Sequence, residues 1–182
     1  MRRSFAVPAF LFSFCAVVGA QAADPPAARS YPLTDHGVLK LSVPANWTEQ
    51  VRAEGGAPPT IELTSNESKA IVLITPLWSP RDDPKFNSTE NIRAAIERAA
   101  QSVQPTAVEK ELVLRTIETT TGEGHFFWAT DRAPGAGEHK FMANGGVPAG
   151  KLLLSFTVLS YVEPPRGIEE ALAIVRSAAH EP

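Results

Sequence analysis

Residues 122–162, GEGHFFWATDRAPGAGEHKFMANGGVPAGKLLLSFTVLSYV, restrict the fold of this chain more than any other stretch. Residues 125–130 (HFFWAT) are rich in aromatics and bracketed by Gly and Asp, as suits a pleated surface packed on both sides. Residues 132–137 (RAPGAG) cannot continue a strand, because Pro lacks an amide donor and the glycines favour unusual dihedrals. A returning antiparallel strand is expected over 139–143. The triplet Asn144-Gly145-Gly146 then reads as a second turn, since each residue tolerates positive φ. Residues 152–159 (LLLSFTVL) are apolar on both faces, the pattern of a central strand covered above and below. The prediction is a three-stranded meander at the centre of a sheet.

The chain has 182 residues, enough for one well-packed domain. Its start reads as an address. Arg2 and Arg3 precede an apolar run over 5–18, and Ala20-Gln21-Ala22 places small residues where signal peptidase accepts them. The expectation is a signal peptide at 1–22, a flexible leader at 23–30 and a single α+β domain at 31–182, exported to the periplasm. The apolar run is shorter than the roughly 20 residues a membrane span needs, so stable insertion is not expected after cleavage. Cys15 is the single cysteine and follows Phe14, which argues against a lipid anchor. Without it the exported chain has no disulfide or thiolate chemistry. Removing Arg2 and Arg3 leaves 15 basic residues against 20 acidic, a net charge of −5. With no basic run, nucleic acid is a poor partner for such a chain.

In chain order, 38–43 (VLKLSV) is a strand ending at Pro44, and Pro44-Ala45-Asn46-Trp47 a turn that brings Trp47 over an end of the core. Residues 52–59 read as loop. The runs 60–64 (TIELT) and 70–75 (AIVLIT) form a hairpin. A polar connector over 79–86 leads to an amphipathic helix, with Asn87 as cap and Glu90 as the reciprocal partner of a capping box. Ile92, Ala95, Ile96, Ala99 and Val103 make its apolar stripe, and Pro105 stops it. Residues 108–120 read as a strand, with helix as the competitor. A C-terminal helix is marked by Ile168, Ala171, Leu172, Val175 and Ala179. Short connections imply a mainly antiparallel sheet flanked by helices.

Chemistry is sparse. Pairing Thr130 with Glu138 would set His125 opposite Ala143, leaving His125 and His139 roughly 13 Å apart, too far to share an ion. No serine lies in a nucleophile elbow, and the glycines form no phosphate cradle. No cofactor is implied. One constellation stands out: Asp131 and Arg132 enter the Pro/Gly loop, and Glu138 and Lys140 leave it. These four charges either pair across the hairpin as surface salt bridges or form a recognition loop held out from a rigid sheet.

The opening GVLKLSVPANW, the mid-chain helix, and the closing FTVLSYV followed by a helix ending VRSAAH resemble the PsbP-like fold. The Ran-binding Mog protein and bacterial periplasmic relatives share that fold. The resemblance covers most of the exported chain and implies an α/β/α sandwich with a lean toward binding or assembly rather than catalysis. It carries over no catalytic residues. Two functions follow as expectations: a non-catalytic periplasmic binding or assembly factor with a possible protein partner, or a hydrolase whose site is gathered from distant residues.

Overall fold

A computed structural model describes residues 26–53, 55–65 and 67–182. The expected signal peptide and the first residues of the leader lie outside these residues. The described residues form ten strands and two α-helices in an α+β arrangement. The larger sheet has seven antiparallel strands in the order β3 (Trp47–Arg52), β4 (Thr60–Ser65), β5 (Ala70–Leu77), β9 (Leu152–Ser160), β8 (Phe141–Ala149), β7 (Gly122–Thr130) and β6 (Arg115–Thr119). The smaller sheet sets β2 (Val38–Val43) between β1 (Ala27–Pro32) and β10 (Ala179–Glu181).

The expected meander is β7–β8–β9, and β9 is the middle strand of the seven. Its even-numbered residues Leu152, Leu154, Phe156 and Val158 are fully buried against helix α2 (Arg166–Arg176) and the smaller sheet. Its odd-numbered side is half-buried, so Leu153 is only partly covered. The cause is the position of helix α1 (Thr89–Val103), which lies over β7 and β8 and packs Ile92, Ile96 and Ala100 against Phe127 and Ala129. The helices therefore cover opposite faces, as the sandwich expectation requires.

Five expectations need correction. Residues 27–30, assigned to the leader, are strand: β1 pairs along β2 from Ala27 opposite Val43 to Pro32 opposite Val38. Asn144-Gly145-Gly146 is the middle of β8, and the turn lies at Gly150. Gly145 is there for room: a Cβ on it would stand 2.4 Å from Phe156 Cζ and 2.6 Å from Phe126 Cβ. The hairpin register is shifted by three residues, with Thr130 opposite Phe141 and His125 opposite Gly146. The cap of α1 is Ser88, whose hydroxyl accepts the Asn91 amide at 3.3 Å. Asn87 instead donates to the carbonyls of Gly150 and Leu152 at 2.8 and 2.9 Å.

The fifth correction concerns residues 108–120, of which only Arg115–Thr119 is strand. Before it, the Gln104 amide holds the Glu109 carbonyl and the Leu112 N–H, taking partners that a ladder would use. The Glu109 carboxylate accepts from Thr130 N and Oγ1. Burial pushes that carboxyl up, but the two Thr130 bonds outweigh it and the pKa falls below the ordinary value. Two strands went unforeseen, β3 and β10.

A polar cluster joins β3 at the edge of the larger sheet to β1 at the edge of the smaller one. Glu49 on β3 accepts from Tyr31 Oη at 2.8 Å and from Arg29 at 3.0 Å, both on β1. The Tyr31 bond, then Arg29, holds the Glu49 carboxyl below its usual 4.5, while burial and the Glu49 charge push the Tyr31 hydroxyl up. A depressed carboxylate stabilises the fold above its unfolded pKa, and that stability is lost as pH falls through the folded value. Glu49→Gln should therefore be less stable than the parent near neutral pH. The gap should close in urea melts below about pH 4.

Candidate functional site

Two turns, the 79–87 connector and the end of β10 meet at one end of the larger sheet around a cleft of about 710 Å³. Its far wall is the pair His36 and Trp78, whose rings stack at 4.0 Å between centroids and 24° between planes. Trp78 directly follows β5, and His36 sits in the β1–β2 turn, closed by Leu33 N–H to Gly37 carbonyl at 2.8 Å. Gly37 is required here twice. Its φ is +76°, and a Cβ would come within 2.1 Å of the Glu181 carbonyl.

His180 closes the cleft. Its Nδ1 accepts the Lys151 N–H at 3.3 Å and its Nε2 faces the His36 carbonyl at 2.8 Å, so the ring joins the β8–β9 turn to the β1–β2 turn. This geometry fits the tautomer with the proton on Nε2. On the third side, Ser79 Oγ accepts from Arg81 N and Asp83 N, folding the connector into a tight turn with Asp82 at a φ of +50°. Asn87 fastens that connector to the β8–β9 turn through the two carbonyl bonds given above. Asp35, Asp82, Asp83 and Lys151 supply the charge of the lining.

The sequence-based candidates lie at the other end of the sheet, separated by the length of β8, roughly 26 Å at 3.3 Å per residue. The side chains of Asp131, Arg132, Glu138 and Lys140 form no ion pair with one another among the described residues, and Asp131 meets Lys140 only through its N–H on the Lys140 carbonyl at 2.8 Å. Asp131 accepts from Ala133 N at 2.9 Å, Glu138 from Gly135 N at 2.8 Å, and Arg132 donates to the Ala107 carbonyl at 2.6 Å. Lys140 stands over the Phe141 ring at 5.5 Å. These bonds shape the loop, with Tyr161 donating to the Gly137 carbonyl and stacking on His139 at 4.2 Å. Neither the salt-bridged hairpin nor any coupling of His125 with His139 is present. Arg132→Ala should cost about 1 kcal/mol in a thermal melt, the worth of one hydrogen bond from a charged donor at a part-exposed site.

The cleft residues come from segments around positions 36, 80, 151 and 180, with no spacing that links them. Among the described residues no three His, Cys, Asp or Glu side chains gather as a metal site. No described helix is long and apolar enough to cross a membrane.

No family model and no curated protein matches the sequence. Solved structures do match in fold. Cyanobacterial PsbP (CyanoP) from Synechocystis sp. PCC 6803 aligns with a TM-score of 0.51 at 10% identity, over 93% of this chain and 98% of that one. A protein from Bacteroides thetaiotaomicron VPI-5482 aligns with a TM-score of 0.50 at 10% identity, over 79% of this chain and 45% of that one. This chain thus spans less than half the length of the Bacteroides protein. The fold is PsbP-like, as the opening strand, mid-chain helix and closing strand–helix suggest.

Proposed function

We propose that this chain is an exported, periplasmic, non-catalytic binding or assembly factor that takes its ligand or partner in the cleft closed by His180. Export rests on the Arg2-Arg3 start, the apolar run and Ala20-Gln21-Ala22. The observation that carries the binding reading is His180 itself. With both ring nitrogens on backbone groups, it serves as a tie between loops and not as an acid or base. The loops it joins hold an aromatic wall and several charges in fixed positions, as recognition without chemistry requires.

The test is capture from a periplasmic extract by the purified exported protein, alongside Trp78→Leu and Arg132→Ala. Capture lost in Trp78→Leu, with an unchanged melting curve, supports the cleft. Capture lost only in Arg132→Ala moves recognition to the 131–138 loop. The hydrolase alternative draws on the meeting of Asp35, His36, Asp82 and Asp83 from distant segments. Turnover of simple nitrophenyl esters that vanishes in His36→Ala would favour it and overturn the binding reading.

A further inference from the structure

The strands β5 and β9 are apolar on both sides, the pattern of strands packed above and below, yet the chain covers them on one side only. Helix α2 and the smaller sheet bury the side that carries Val72, Ile74, Phe156 and Val158. On the other side α1 lies over β7 and β8, and no described helix packs over β9, β5, β4 or β3. Ile71, Leu73 and Leu159 are half-buried there, shielded by their neighbours along the sheet. Ile71 stands opposite Leu159 and Leu159 opposite Met142, so one apolar row crosses three strands.

The polar side chains on this face hold one another. Asn144 donates to Thr157 Oγ1 at 3.0 Å, the hydroxyls of Thr60 and Thr75 bond at 2.9 Å, and Arg52 pairs with Glu62 at 2.6 Å. Closing the face against an apolar surface therefore strands few polar groups, whereas groups that relied on water would each oppose it. Its cation and its anion are matched, so two copies of this acidic chain can meet there without repulsion. A membrane-bound face would carry free Lys or Arg and aromatic residues at its rim, and here Arg52 is already paired. The four bare strands, at about 4.8 Å spacing and about seven residues each, present a flat footprint of roughly 450 Å². Side-chain relief brings the area that two such faces bury to about 1,000 Å², where specific interfaces begin. We propose that two copies of this chain pack these faces together in a two-fold symmetric dimer, sheet on sheet at a spacing of about 10 Å. Helix α1, about 10 Å across, stands beside the bare strands to the height of that second sheet, so each α1 flanks the open β3 edge of the other copy. The dimer does not depend on the cleft being a binding site.

The test is sedimentation equilibrium of the exported chain, residues 23–182, from about 1 μM to about 1 mM. The mass should rise with concentration to twice that of the monomer and stop there, with a micromolar constant, as suits a small interface. The thermal midpoint should rise over the same range, because only the folded chain associates. Ile71→Glu sets an unpaired charge in the apolar row and should weaken association at least tenfold. Leu159→Thr is milder and β-branched, should weaken it at least threefold, and decides the matter if Ile71→Glu fails to fold. Val113→Glu, at a 60% exposed site beside β6, should leave it unchanged. A monomer at the highest concentration, growth beyond the dimer, or association that neither face variant weakens overturns the proposal. A monomer that floats with phosphatidylethanolamine and phosphatidylglycerol vesicles as parent, but not as Leu159→Thr, assigns the face to lipid instead. A monomer whose capture of another protein from extract is lost in Leu159→Thr assigns it to that protein, and either result overturns the dimer.

Discussion

Phe127→Ala should lower the unfolding free energy by about 3–5 kcal/mol, the range for a phenylalanine removed from a packed core. Phe127 is completely buried and stands where α1 crosses β7, packed with Ile92, Ile96, Leu112 and Ala129. No second layer can collapse into the space, because the sheet backs the ring on one side and the helix on the other. Ile74→Ala, fully buried on β5, should cost about 2–5 kcal/mol by the same reasoning. Leu153→Ala should cost less, about 1–2 kcal/mol, because its side chain is only partly covered. Urea melts of the three variants give the ranking. A loss under about 0.5 kcal/mol for Phe127 would place it at the surface and refute the packing of α1 on β7.

Gly145→Ala should be destabilising by about 1–3 kcal/mol, although it adds one methyl group. The new Cβ meets the ring of Phe156 and the Cβ of Phe126, of which Phe156 is 1% exposed within the core. Gly135→Ala is the matched control. There the nearest atoms belong to the end of the exposed Glu138 side chain, which can swing into solvent, so the change should stay within about 0.5 kcal/mol. If Gly145 occupied an exposed turn, the two substitutions would behave alike. Equal denaturation midpoints would therefore refute the placement of Asn144-Gly145-Gly146 in mid-strand.

Residue patterns revealed the parts of this fold that bury one face or two. β2, β4, β5 and β9 show alternation or continuous apolar runs, and α1 has its stripe, so their interiors were legible. β3 was not, because after Trp47 every residue is exposed and an edge strand wet on both faces has no period to read. β10 has three residues, and Ala179 fits the stripe of the preceding helix equally well. The glycines of β8 misled because glycine serves close approach as well as positive φ, and sequence does not distinguish the two. The capping box failed by one position because Asn87 is drawn to carbonyls more than sixty residues away. The cleft was illegible for a related reason. His36 in the β1–β2 turn, Trp78 and Asp82 in the connector after β5, and His180 on β10 are ordinary residues of separate segments, and proximity created only by tertiary structure leaves no local signature.

The place of β2 has a consequence for how the molecule comes into being. Its two neighbours are the first strand and the last, and the ion pair of Lys40 with Glu181 joins positions 141 residues apart. Nearly the whole chain must be closed into one loop before β10 can dock, a step whose entropic cost is met only at the end of folding. During synthesis β2 has no β10 to pair with until the last strand has emerged. An edge of the smaller sheet and the His180 side of the cleft stay open until then. The cleft is thus completed only when β10 docks, and a chain cut short before Ala179 would lack its His180 wall.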